Sequence, residues 1–237
     1  MSGRIEGSIM TKLIQGIVEF RKNLKPSYRE TFARLALGQS PDVLYIGCSD
    51  SRVAVNVFAS TDPGDLFVVR NVGNLVPPCG RNGQSTADES EAAAIEFALG
   101  TLNVKHIVIC GHSECGAMHA LVEGREKLKD PNLRSWLRHG EEGLKDLQIK
   151  PGFAEKLSAH NRLSQINVLR QIEHLKTYPI IEQRLKAGTL KLHGWWFELS
   201  QADVYAFDET QGKFVLFDEV EAQRILASLG QEENNFV

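Results

Sequence analysis

A chain of 237 residues, 42% apolar and 24% charged, has the length for one large α/β domain or two small ones and enough apolar content for a packed core, which excludes disorder. Its 27 basic and 30 acidic residues leave a net charge of −3 with histidine neutral, so no global field draws it to nucleic acid or an anionic membrane. No run approaches the roughly 18–20 consecutive apolar residues of a membrane helix, and no basic segment followed by an apolar run marks a signal peptide; a cytoplasmic protein is expected.

Residues 1–9 are rich in Gly and Ser and precede Met10, so they read as a vector-derived or disordered leader. Leu13, Ile14, Ile17, Val18 and Phe20 recur at helical spacing, and Lys25-Pro26-Ser27 breaks the run with Ser27 as N-cap. Two helices are expected, 10–24 and 28–37, forming an N-terminal arm over 10–38. Gly38 ends the second, and short apolar runs at Val43–Ile46, Leu66–Val69 and His106–Cys110 read as buried strands. Between the last two, Ala92 to Leu99 predict a compact helix ended by Gly100, with Thr86, Asp88 and Ser90 as candidate caps. Residues 116–148 read as a helical, charge-rich surface insertion, and 153–175 as a long amphipathic helix. After Tyr178-Pro179 comes a helix to Gly188, then strands over Leu190–Leu199, Val204–Phe207 and Phe214–Phe217, the last two a hairpin. The expected fold is α/β, a mostly parallel central sheet flanked by helices, with the helical arm in front and the hairpin behind; 39–237 form one α/β domain.

Four cysteines in a chain this long are not a disulfide framework, so metal binding or thiol chemistry is the question they raise. Cys48-Ser49-Asp50-Ser51-Arg52 follows the first strand and Cys110-Gly111-His112-Ser113-Glu114-Cys115 the third, both at the edge of a parallel sheet where ligand sites form. His112 and Cys115 can share one metal with Cys48, and two soft thiolates with one imidazole favour Zn²⁺. Three protein ligands leave one position for water, the mark of a catalytic rather than a structural zinc. Cys110 reads as a small buried thiol and Cys79 as incidental. Asp50 and Arg52 are placed for a guanidinium to orient a carboxylate, and Asp50 either accepts a hydrogen bond from metal-bound water or ligates the metal itself.

With Gln39-Ser40-Pro41, Phe67-Val68-Val69-Arg70-Asn71 and Gly111-His112-Ser113 added in order and spacing, the chain resembles the β-class carbonic anhydrases from about Gln39 to Met118, and more faintly to Phe217. The resemblance implies one Zn²⁺ per subunit on Cys48, His112 and Cys115, and reversible hydration of carbon dioxide to bicarbonate by attack of zinc-bound hydroxide, with Asp50 and Arg52 as catalytic dyad. It implies a substrate pocket of Gln39, Val53, Phe67 and Phe97, and a homodimer or dimer-based higher oligomer embraced by the N-terminal helices. In one pocket type of the family a Trp, an Arg and a Tyr hold a non-catalytic bicarbonate; Tyr45, Arg70 and Phe197 stand there, so only Arg70 fits. Gln39 fits the other, non-allosteric type, though Phe97 stands where that type has a Tyr. His119, one helical turn beyond Cys115, is either a proton shuttle or a surface histidine. Two other readings stand beside this one: a hydrolase of carbon disulfide or carbonyl sulfide on the same scaffold, and a non-catalytic structural-zinc protein whose site Cys79 or Cys110 closes.

Overall fold

A computed structural model describes residues 9–87, 89–149 and 153–233, with side chains as far as 227. The chain divides into two compact units, Met1–Ser40 and Pro41–Val237. In the first, α1 (Ile9–Glu19) continues through a π-helical turn at Phe20–Leu24 into α2 (Lys25–Leu35). The expected break at Lys25-Pro26 does not occur. Proline falls in the first turn of α2, where its missing N–H costs nothing, and the π turn absorbs the misfit. Ser27 is therefore inside the helix, where its hydroxyl donates to Leu24 O at 2.7 Å instead of capping. Of the nine residues read as a leader, Ile9 is already helical and the other eight lie outside the described residues.

The second unit is a six-stranded sheet in the order β2-β1-β3-β4-β5-β6. Strands β1 (Val43–Cys48), β2 (Leu66–Asn71), β3 (His106–His112) and β4 (Lys191–Glu198) are parallel, and β5 (Asp203–Asp208) and β6 (Lys213–Leu216) extend the sheet as an antiparallel hairpin. Helices α3 (Val55–Phe58), α4 (Glu89–Gly100), α5 (Gly116–Glu123), α6 (Pro131–Trp136), α7 (Glu141–Ile149), α8 (Ala159–Lys176) and α9 (Pro179–Lys186) connect the parallel strands, and α10 (Glu219–Glu233), which the sequence reading lacked, follows the hairpin.

Both faces of the central strands are covered, which is why their sequences are unbroken apolar runs rather than alternations. Leu44, Ile46, Ile107 and Ile109 point into one core with Ile95, Val168, Leu175 and Ile181, while Tyr45, Val108 and Cys110 point into another with Val53, Val55 and Phe197. A third cluster lies at the C-terminal edge, where Leu75, Ala117, Met118, Leu121, Leu137 and Leu163 surround Cys48 and Cys115. The segment read as a surface insertion therefore supplies much of this core. Apart from Asp146, which is buried against Arg170, its charges lie on the outer sides of short helices whose apolar residues close over the sheet edge.

Candidate metal centre

Strand β1 leads to β2 on one side and lies against β3 on the other, so the chain changes direction at the C-terminal ends of β1 and β3. A crevice opens at such a point in a parallel sheet. Cys48 is the last residue of β1 and His112 the last of β3, so both ligand candidates sit on the sheet itself rather than on loops beyond it. Cys115 follows at the entrance to α5. One donor atom from each of Cys48, His112 and Cys115 lies within 4.8 Å of the other two, and all three residues are buried.

The imidazole of His112 is oriented for a metal. Its Nδ1 contacts Ser113 O at 2.8 Å, which fixes the proton there, and its Nε2 is buried with no hydrogen-bond partner. A buried, unpartnered nitrogen facing two thiols is costly unless something electrophilic is bound between them, so the donor set fits a soft divalent cation. Cys48 and Cys115 are close neighbours: contact with Cys115 lowers the Cys48 thiol, and the same contact, with burial, pushes Cys115 up. Gly73 N donates to Cys48 Sγ at 3.3 Å. Gly73 has φ +85° and a Cβ there would lie 2.9 Å from the Ala117 Cβ, so glycine is required for this approach.

Asp50 and Arg52 form the expected pair. Arg52 donates from Nε to Asp50 Oδ1 at 2.9 Å and from Nη2 to Oδ2 at 2.8 Å, and its backbone N–H reaches Oδ1 at 3.0 Å. These bonds hold the carboxyl well below the usual carboxylate range. Asp50 Oδ2 stands 3.9 Å from His112 Nε2, beside the donor cluster but turned toward the guanidinium. Arg52 Nη2 also donates to Glu114 O at 2.9 Å, which ties the loop after β1 to the loop after β3. Arg70 spends its Nε and Nη2 on Cys48 O at 2.9 and 2.8 Å, and Nη2 reaches Asp50 O at 2.6 Å.

Helix α8 frames the site from below, a role the sequence reading missed. Ser164 Oγ donates to His112 O at 2.7 Å, Asn167 Nδ2 to Gly73 O at 3.0 Å, and Asn161 Oδ1 accepts from Glu114 N at 2.7 Å. Polar residues on an amphipathic helix read as a solvent face; the signal available was that Ser164, Gln165, Asn167 and Gln171 fall among the apolar positions, where they are buried.

Of the expected pocket residues, Val53 is buried in the core cluster that holds Tyr45 and Phe197. Phe67 and Phe97 pack on each other, with ring centroids 5.8 Å apart, on β2 and α4; Phe67 belongs to the first core cluster and not to the one around Cys48 and Cys115. Gln39 is exposed and lies in the first unit. Tyr45 is buried with an unpartnered hydroxyl, and Phe197 is buried and stacked on Phe58 at 4.8 Å. Among the described residues the two groups able to hold a metal are Cys48, His112, Cys115 and Glu114, His119, His160; Cys79 and Cys110 belong to neither. Burial pushes the Cys110 thiol up to about 12, as a core cysteine requires.

A carbonic anhydrase family model matches residues 43–204, the span that carries every strand-end donor described above. The chain belongs to the β-carbonic anhydrase family. It is 40% identical over 211 residues to a carbonic anhydrase of Synechococcus elongatus, covering 89% of this chain and 76% of that one. A Pseudomonas aeruginosa carbonic anhydrase is 34% identical over 206 residues, with 87% and 91% covered. The solved β-carbonic anhydrase CcaA superposes with a TM-score of 0.80 at 38% identity, over 90% of this chain and 94% of that one. A β-carbonic anhydrase of Sordaria macrospora, described as tetrameric, gives 0.72 at 27% identity over 84% and 97%. The chain is an enzyme, a carbonic anhydrase, with the α/β fold of that family.

Proposed function

We propose that the chain catalyses zinc-dependent, reversible hydration of carbon dioxide, with Cys48, His112 and Cys115 holding the metal. The observation that carries this reading is the buried, unpartnered His112 Nε2 facing two thiols beside a carboxylate that its own arginine restrains. Bound zinc would lower the pKa of a water toward neutrality and so supply hydroxide at physiological pH. Two thiolates and a neutral imidazole balance the charge of the ion and leave one position open.

Arg52 keeps Asp50 turned away from the metal position, through two parallel hydrogen bonds, so that position stays free. Asp50 then accepts a hydrogen bond from the nucleophile and orients it, a task suited to a carboxylate held ionised. Val53, Phe67 and Phe97 supply apolar surface for a small nonpolar substrate and Gln39 donates to a substrate oxygen; this pocket reading rests on the family resemblance. Residues 10–38 are the arm and 39–237 the catalytic domain. Leu13, Ile14, Ile17, Val18 and Phe32 are exposed on α1 and α2, which supports an arm that embraces a second copy in a homodimer or larger dimer-based oligomer. Free cysteines and thiolate ligands suit a reducing cytoplasm. Among the described residues no helix is long and apolar enough to cross a membrane.

Stopped-flow hydration by the zinc-loaded protein, by metal-stripped protein and by the stripped protein given zinc back tests this. Activity should follow zinc content; hydrolysis of carbonyl sulfide or carbon disulfide without hydration of carbon dioxide, or no turnover with zinc bound, would overturn it.

A further inference from the structure

Glu114, His119 and His160 come from three elements: the turn after β3, helix α5 and the first turn of α8. The imidazoles of His119 and His160 stack with centroids 3.6 Å apart and an interplanar angle of 24°, and each turns Nε2 toward the same carboxylate. His160 Nε2 lies 3.1 Å from Glu114 Oε1, and His119 Nε2 lies 3.4 Å from Glu114 Oε2. The three donors are mutually within 4.8 Å, on partly exposed residues reachable from solvent. Ser158 Oγ also touches His160 Nε2, at 3.0 Å, and Asn161 Nδ2 donates to Glu114 Oε1 at 2.9 Å.

Glu114 is held in this position at a cost in conformation. Its φ is +54°, in the left-handed region that a residue with a Cβ disfavours, and Asn161 clamps it from both its backbone N–H and its carboxylate. The two Nε2 atoms and the carboxylate lie together within the span that ligands of a single cation occupy. Arg52, which donates to Glu114 O, is already paired with Asp50.

We propose that Glu114, His119 and His160 form a second metal site, at the rim, for a borderline divalent ion of the zinc or copper kind. Two imidazole nitrogens and a carboxylate are a donor set such ions accept, with water completing the shell. No thiolate takes part, so this ion is held more weakly than one on Cys48, His112 and Cys115. Glu114 belongs to both constellations: its side chain is a ligand of the rim site and its carbonyl a partner of Arg52.

Equilibrium dialysis of protein already carrying one zinc per chain, against increasing free Zn²⁺, tests this by metal content alone and so does not depend on the hydration reading. A second zinc per chain should bind. His119→Asn and His160→Asn should each weaken that second ion by about tenfold or more while retaining the first, since even partners outside the coordination shell cost that much. Absence of a second zinc up to about millimolar free ion, the weak end of metal sites, or parent-like binding of it by either variant, would overturn the proposal.

Discussion

The functional side chains divide into those that would bind metal and those that control what else can reach it. Replacing Cys48, His112 or Cys115 by Ala removes a donor that water cannot match, so each variant should lose zinc and hydration together, with circular dichroism unchanged as the control on folding. Arg52→Ala should behave differently. Zinc stays bound, but Asp50, released from the Nε and Nη2 bonds, is free to turn toward the metal from its 3.9 Å stand-off at His112 Nε2, and turnover should fall roughly a hundredfold or more. A crystal structure of that variant with Asp50 still turned away would contradict the role given to Arg52. Arg70 already binds two backbone carbonyls, and Tyr45 and Phe197 are buried in the core. Millimolar bicarbonate should therefore not drive Asp50 onto the metal, because an ion shifts an equilibrium only by its differential affinity for the two states. A steep, cooperative loss of activity near neutral pH would show that this pocket does work.

At the scale of elements, the site depends on how closely α8 approaches β3. A Cβ at Gly111 would lie 2.8 Å from Val168 Cγ2 and 3.2 Å from Ser164 O, so Gly111→Ala must push strand and helix apart. A loss of about 1–3 kcal/mol is expected in urea unfolding, together with weaker zinc binding, because His112 is the next residue. Asn167→Ala should cost a similar amount, about 1–3 kcal/mol, by leaving Gly73 O without its donor, and should loosen the loop that reaches Cys48 Sγ. The apolar runs of β1 and β3 were legible because both faces of those strands are buried, but each strand extends two residues further than its run. Gly47-Cys48 and Gly111-His112 have the composition of loops and are held as strand by pairing with Arg70, Asn71, Trp196 and Phe197, partners that local sequence does not reveal. The polar underside of α8 was hidden for a related reason: periodicity shows which residues share a face, not that a loop 94 residues away in sequence covers it. Helix α10 was missed because it follows the last strand, where no further strand demanded a connection.

For the whole molecule, pH should act on stability as well as on catalysis. His193 on β4 is half-buried against His106, their Nε2 and Nδ1 3.0 Å apart, and desolvation lowers it from 6.5 to about 4. The folded state therefore binds fewer protons than the unfolded chain between those values, so stability is full above about pH 6.5 and declines as pH falls toward 4, by roughly 3 kcal/mol from this residue. Urea unfolding of parent and His193→Gln across that range should show a shallower decline in the variant; parallel curves would remove His193 as the cause. The family and the strand-end donors were readable from short motifs because metal chemistry restricts which residues can serve and how far apart they stand. Phe67 and Phe97 face each other from β2 and α4, with Phe67 packed on the first core cluster, a pairing of distant elements that no local motif discloses. Everything proposed for catalysis rests on one first coordination shell. X-ray absorption at the zinc edge, on protein carrying one zinc per chain, should show two sulfurs at about 2.3 Å and two lighter atoms at about 2.0 Å, the imidazole nitrogen and a water oxygen. A shell with three or four sulfurs, or with none, would contradict the assignment of Cys48, His112 and Cys115 as the ligands of an open catalytic site.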